Sequence, residues 1–163
     1  MTAPAFTLTV YGLPAPQGSK SHVGGGRMVE SSKYVKPWRE AVKWSARDWL
    51  DHADDWARLD GPLSLSLAFT FARPKGHYRT GRNAHLLRDA APSRPLGYPD
   101  LSKLIRSTED ALTEAGVWAD DSRVVDVVAS KFYADSHPES LGTPGAVIRI
   151  WRLEEPRPKE STA

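Results

Sequence analysis

The sequence predicts a fold of the α+β class, with helices and strands mixed along the chain (α/β mixed). Two main helices are expected to pack on a small four-stranded sheet in the chain order β-α-β-α-β-β. Two kinds of pattern predict it. Two short runs alternate between apolar and other residues and two more are rich in β-branched residues, which is typical of strands, whereas two longer segments repeat apolar residues at helical spacing. Strands and helices that alternate along a chain of 163 residues are expected to share one core.

The first half of the chain is predicted to fold as strand, helix and strand. Alternation at residues 6–11 indicates the first strand. Residues 17–32, with three consecutive glycines, offer too little apolar surface for regular structure and are predicted to form a mobile loop. Pro37 suits the first turn of the helix, and residues 63–71 show the clearest alternation in the chain. Three tryptophans are expected on the buried face of that helix: Trp38, Trp49 and Trp56.

A basic segment, residues 73–99, follows the second strand, and we call it the basic arm. It is rich in Gly and Pro, so a long, exposed and mobile loop is predicted, and loops of about 20 residues in compact domains are usually functional or disordered. Taken alone, the arm is either a solvated loop or a phosphate-binding surface. Its cations are Arg73, Lys75, Arg79, Arg82, Arg88 and Arg94.

The second half of the chain is predicted to contain one helix and two closing strands. Apolar residues recur at helical spacing over residues 101–115, between Asp100 at the N-cap and Gly116 as the stop signal. Segments 124–133 and 146–153 are rich in β-branched and aromatic residues and are predicted to be strands. A single domain is therefore expected over residues 1–153, followed by a polar tail at 154–163.

Composition and spacing exclude several classes of function. The chain has no cysteine and its five histidines lack paired ligand spacing, which excludes a disulfide scaffold and a zinc site. No stretch approaches the roughly 20 apolar residues of a membrane span and no signal peptide is visible, so a cytoplasmic protein without a membrane partner is expected. Gly18-Ser19-Lys20 does not form a P-loop, because the upstream glycine, Gly12, is too distant, and no nucleotide cofactor is predicted.

The most informative stretch spans about residues 99–126. It contains Pro99-Asp100-Leu101-Ser102-Lys103-Leu104, then Arg106, Asp110-Ala111-Leu112, and Asp120-Asp121 before Val124-Val125. This stretch resembles the RusA family of Holliday junction resolvases (crossover junction endodeoxyribonucleases), of the phage or actinobacterial type. Members usually show Pro-Asp-x-Asp-Asn/Lys-Leu at a helix start, a Lys or Arg one turn later, Asp-Ala-Leu, and Asp-Asp before Val-Val. The resemblance is looser elsewhere in the chain.

The resemblance implies a RusA-like fold and a homodimeric endonuclease that uses Mg²⁺, with Mn²⁺ as a substitute, on four-way junction DNA. Asp100 matches the first metal-binding aspartate of the family and Asp121 the last, with Asp120 as a supporting acid. Arg106 stands where many members place a catalytic lysine and could clamp the phosphate. Carboxylate oxygens suit Mg²⁺, which activates water for phosphodiester hydrolysis. The expected DNA-binding residues are Lys20, Arg73, Lys75, Arg79, Arg82, Arg88, Arg94, Lys103 and Arg106.

Ser102 departs from the family pattern, because it replaces the second aspartate of the Asp-x-Asp pair. Three outcomes are open: the remaining aspartates hold the metal with more water, the affinity for Mg²⁺ falls, or the protein binds junctions without cutting them. The leading hypothesis is a resolvase that makes paired symmetric nicks. The alternatives are a catalytically impaired protein that binds branched DNA and a general Mg²⁺ nuclease without junction preference.

The spacing of the two matched aspartates leaves the composition of the site open. A helix over residues 101–115 is about 22 Å long, and the five residues that follow span at most roughly 17 Å. Asp121 therefore reaches Asp100 either by a taut return within one chain or from a partner subunit. Tyr78 and Tyr98 could stack on unpaired bases at a junction, although Tyr98 could equally pack on the helix. Trp44 points away from the buried face of the first helix and could mark a dimer surface.

Overall fold

Six strands and two long helices make up the part of the chain that the computed structural model describes, residues 2–18, 20–22, 24–25, 28–30 and 33–155. The strands are β1 (Phe6–Tyr11), β2 (Lys20–His22), β3 (Met28–Glu30), β4 (Leu63–Phe71), β5 (Val124–Tyr133) and β6 (Gly145–Arg152). The helices are α1 (Val35–His52) and α2 (Leu101–Ala115). The predicted α+β class and the order of the main elements are thereby confirmed.

The main sheet has the strand order β1-β6-β4-β5. β6 pairs antiparallel with both β1 and β4, whereas β4 and β5 run parallel. A parallel pair needs a long crossover connection, which the basic arm and α2 supply here. Because α2 returns along the sheet between β4 and β5, its N-terminus lies near the ends of these strands and its C-terminus near their beginnings.

Both helices cover one face of the main sheet, where the larger hydrophobic core lies. Trp38 of α1 is 1% exposed, and its indole N–H donates to the hydroxyl of Thr108 on α2 at 3.2 Å. A smaller cluster of Ala68, Phe132 and Val147 covers part of the opposite face. The strand alternation seen in the sequence arises because one face of each strand meets the helices.

The prediction that residues 17–32 are wholly irregular is wrong where the structure describes them. β2 and β3 form a separate antiparallel pair, with Lys20 opposite Glu30. Short hairpins depend on turn residues that accept positive φ rather than on a core, and Gly24 and Gly25, between these strands, have φ of 83° and 57°. Residues 19, 23, 26–27 and 31–32 of this segment, and 156–163 of the predicted tail, lie outside the described residues.

The tryptophan prediction holds for the core but not for the helix. α1 ends at His52, so Trp56 does not share its face. Trp56 instead returns to pack edge-on against Trp49, with 5.0 Å between ring centroids, and against Phe6 of β1.

Within the described residues, neither helix combines the length and apolar character that crossing a bilayer requires.

Gly145→Ala is expected to destabilise the domain. A Cβ at Gly145 would lie 2.3 Å from the Val10 carbonyl oxygen in the neighbouring strand and 2.9 Å from Leu141 Cδ1, so the backbones of β1 and β6 would have to separate. Overpacking of this kind costs about 1–3 kcal/mol, measured as the free energy of unfolding in urea. The control is Gly76→Ala, where a Cβ meets nothing within 4 Å. Equal stabilities of the two variants would contradict the expectation.

Candidate active site

Asp100 stands at the N-terminus of α2, at the position the sequence predicts, but its carboxylate does not cap the helix. Its backbone is extended, and no side-chain cap hydrogen bond forms there. The carboxylate is 62% exposed and lies 3.6 Å from the ammonium of Lys103. The interpretation of Asp100 as an ordinary N-cap is therefore unsupported, and its oxygens remain accessible.

Lys131 on β5 fixes the backbone immediately before Asp100. Its ammonium donates to the carbonyl oxygens of Gly97 at 2.8 Å and Pro99 at 2.9 Å. No local sequence pattern marks Lys131, because its position near Asp100 depends on β5 lying beside β4 and close to the end of the basic arm. Only the pairing of Lys131 with Phe69 across the parallel strands brings it there.

Arg106 and Lys103 share one exposed side of α2, beside the segment that leads to β2. Residues three apart on a helix are neighbours. The backbone N–H of Gln17 donates to the Lys103 carbonyl at 3.1 Å, and a Cβ at Gly18 would lie 3.7 Å from Nη1 of Arg106. Lys103 is therefore placed next to Asp100, whereas Arg106 lies about 9 Å further along the helix axis, beside Gly18. Ser102 is exposed on the same first turn.

Asp120 and Asp121 lie in a turn between α2 and β5. The carboxylate of Asp120 accepts from the backbone N–H of Ser122 at 2.8 Å. Hydrogen bonds from the Ser122 side chain, and after it from this backbone N–H, lower the pKa of Asp120. Arg123 pairs with Asp60 at 2.6 Å and fixes the turn to the segment before β4. Both aspartates are exposed, and Asp120 makes local hydrogen bonds to Ser122.

Glu109 on α2 is an acidic neighbour of Asp121 that the sequence analysis missed. Its burial, and after it the negative charges of Asp121 and Asp110, raise the pKa of Glu109 to about 7. A signal existed in the sequence, because Glu109 follows Ile105 by four residues and precedes Leu112 by three, which is the spacing of the buried stripe. A carboxyl group at such a position is more often functional or strained than an exposed one.

One chain does not bring the predicted metal ligands together. Asp121 lies close enough to Glu109 to raise its pKa, and Glu109 is about 13 Å further along the helix axis than Asp100. Among the described residues, no group of three or more His, Asp or Glu side chains could hold a metal ion. The types of donor fit Mg²⁺, but within a single chain their positions do not.

The basic arm is held in shape by its own arginines. Arg88 donates from Nε to the carbonyl oxygens of Gly76 and Tyr78, and Arg79 donates to that of Leu87 and pairs with Asp89. The bridge between Tyr78 and Leu87 makes this part of the arm resemble a hairpin. These guanidinium groups therefore organise the loop, and the mobility of the arm remains a prediction.

The other predicted DNA-binding cations differ in how far their side chains already contact groups of the protein. Arg73 lies over the ring of Tyr133 at 4.1 Å and donates to the Pro92 carbonyl, and Arg94 lies over Phe132 at 4.7 Å. Lys75 and Arg82 lie in two 3-10 turns of the arm, and both residues are exposed. Lys20 is in β2, and its side chain is outside what the structure describes.

Comparison with known proteins gives this arrangement a family. The family model described as Endodeoxyribonuclease RusA matches residues 12–140, which include the proline segment (residues 14–16), the basic arm, α2 and both aspartate positions. The chain is also similar to the "Uncharacterized protein YqaN" of Bacillus subtilis (strain 168), with 28% identity over 135 residues that cover 78% of this chain and 87% of that protein. The chain belongs to the RusA family of endodeoxyribonucleases.

Proposed function

We propose that the protein is a Mg²⁺-dependent endonuclease that resolves four-way DNA junctions by paired, symmetric nicks. The observation that carries the proposal is the exposed carboxylate of Asp100, which makes no cap hydrogen bond and lies beside Lys103, with Arg106 further along α2, in a member of the RusA family. A carboxylate beside cations can approach a phosphodiester, which a carboxylate alone would repel.

Each residue has a distinct role in the proposed site. Asp100 and Asp121 would hold the metal ion through carboxylate oxygens, and water would fill the position that Ser102 leaves. When bound, the ion supplies an activated water molecule and charge neutralisation at the phosphate. Arg106 would bind the nonbridging phosphate oxygens through its planar guanidinium, and Lys103 would contribute positive charge beside them.

We further propose a homodimer in which Asp121 of one chain completes the site at Asp100 of the other. Two symmetric nicks need two sites related by a twofold axis. β5 is an edge strand of the main sheet. Three of its valines are exposed: Val125 (64%), Val127 (39%) and Val128 (62%). A long apolar edge of this kind favours pairing with another strand, and a second copy of β5 would remove it from water.

The register of such a pairing supports the shared site. If two β5 strands pair antiparallel about a twofold axis anywhere within residues 125–128, Asp121 of one chain lies opposite residues 129–135 of the partner. That end of β5 carries Lys131, which holds the carbonyl of Pro99 next to Asp100. Such pairing would bring Asp121 of one chain close to Asp100 of the other chain, although the two residues are far apart within one chain.

The proposal is tested by incubating the protein with a labelled four-way junction and with a linear duplex of the same sequences, in Mg²⁺ and in EDTA. We expect paired nicks on the junction alone, lost in EDTA. Equal degradation of both substrates would instead identify a general nuclease. A protein that neither binds nor cuts the junction would overturn the proposal.

A second candidate function is junction binding without cleavage, which the exposed serine at position 102 favours. Ser102 occupies the first turn of α2, two residues after Asp100, and its hydroxyl cannot supply a negative ligand. Tight junction binding without nicks would support this candidate. In that case Ser102→Asp should restore cutting, and Ser102→Asn, which has a similar shape without the charge, should not.

A further inference from the structure

A small apolar cleft of about 240 Å³ opens beside Asp100. Its base includes Phe71, the last residue of β4, and one wall is formed by Pro14 and Pro16. Two aromatic rings stand at its rim, Tyr34 at 49% exposed and Tyr98 at 71% exposed. A cleft below the roughly 300–1,000 Å³ of typical ligand pockets, with aromatic rims, suits a single planar ring.

The walls of the cleft are fixed in the free protein. Lys131 holds the carbonyl groups on either side of Tyr98, those of Gly97 and Pro99. On the opposite wall, the hydroxyl of Ser107 donates to the Ala15 carbonyl at 2.6 Å, which attaches the proline segment to α2. Binding of a flat ligand therefore requires little ordering of the protein, and this lowers the entropic cost.

Positive charge flanks the cleft on two sides. Lys103 and Arg106 follow on α2, one to two turns after Pro99 in the wall, and the ammonium of Lys33 lies 5.1 Å from the centre of the Tyr34 ring. A nucleotide carries an aromatic base and a phosphate a few ångströms apart, so it matches an aromatic cleft bordered by cations. An apolar peptide offers no negative charge to these cations.

We propose that the cleft between Tyr34 and Tyr98 binds one unpaired nucleobase at the centre of the junction while its phosphate lies toward Arg106. The inference rests on the proposed junction function and names a subsite for it. Bases in a duplex are stacked and paired, whereas those at a branch point cost less to unstack, so an occupied cleft would favour junctions over linear DNA. Because the cleft offers ring faces rather than polar groups, occupancy should depend weakly on base identity.

The test combines tyrosine variants with junctions that lack a base. Affinity for the junction and for a linear duplex is measured by fluorescence anisotropy in Ca²⁺, with an abasic site placed in turn at each nucleotide next to the branch point. Tyr34→Ala and Tyr98→Ala are each expected to weaken binding of the intact junction about thirtyfold, the middle of the range for loss of one stacked base, and to leave duplex binding unchanged. Tyr34→Phe and Tyr98→Phe should bind like wild type, because stacking needs the ring and not the hydroxyl.

Removing the base at one position is expected to weaken wild-type binding of the junction by a similar factor. On that abasic junction Tyr98→Ala should cause no further loss of affinity, because the stacking contact is already absent. Trp151→Ala is the control, a partly exposed aromatic on β6 opposite Ser64, at the other end of β4 from the cleft, and should change nothing. If wild type nicks junctions but the tyrosine and abasic losses multiply at every position, or duplex affinity falls equally, the cleft does not bind a base. A wild type that treats junction and duplex alike would overturn the proposed function itself.

Discussion

Asp100→Asn and Asp121→Asn are each expected to abolish junction cleavage, whereas a heterodimer of the two variants is expected to nick one strand. Each variant removes a negative metal ligand at one position while keeping the shape of the side chain. Loss of several kcal/mol of transition-state stabilisation lowers the nicking rate by roughly a thousandfold or more, at about 1.4 kcal/mol for each factor of ten.

The heterodimer separates a shared site from one built within a single chain. If the partner's Asp121 completes the site at Asp100, one site of the mixed dimer contains both asparagines and the other contains both aspartates. If each site lies within one chain, both sites of the mixed dimer carry one asparagine and remain inactive. The geometry favours the shared arrangement, because α2 separates Asp100 from Asp121 within the chain.

Heterodimers are purified through two different affinity tags, and single-strand nicks are counted on a labelled junction. The reference is a heterodimer of wild type with Asp100→Asn, which keeps one intact site under either arrangement. Similar nicking by this reference and by the double-variant heterodimer is the expected result. An inactive double-variant heterodimer beside an active reference would show that β5 does not bring Asp121 to the partner's Asp100.

The local structure of α2 could be predicted from sequence because its signals are local. Asp100 at the N-cap and Gly116, which has φ of 81°, bound a stripe of apolar residues, and the helix ends where these residues indicate. The same holds for β4 and β5, whose limits match the predicted runs. Capping and periodicity depend on neighbours within a few residues, so one sequence suffices to read them.

Contacts between distant segments could not be predicted in the same way. The arginines of the basic arm were all expected to bind DNA, but Arg79 and Arg88 bind carbonyl groups of the arm itself. An unpaired carbonyl and a phosphate oxygen both accept from a guanidinium, and composition does not distinguish them. Lys131 and Glu109 were missed for a related reason, since their environment is made by β5 and by the turn at Asp121.

Arg79 and Arg88 already bind groups of the protein, whereas Arg106 is exposed on α2. The second large effect on the nicking rate is expected at Arg106. Arg106→Ala is expected to lower the nicking rate on saturating junction by about 10²–10³-fold, the usual effect of removing one preorganised group that stabilises transition-state charge. Arg106→Lys should retain much of the rate, because a lysine stands at this position in many members of the family.

Arg82→Ala is the matched control, an exposed cation in the arm. It is expected to weaken binding, to reduce the salt dependence of the affinity by about one phosphate contact, and to leave the saturated rate unchanged. Should Arg106→Ala instead change only the affinity, Arg106 positions the DNA and takes no part in the chemical step.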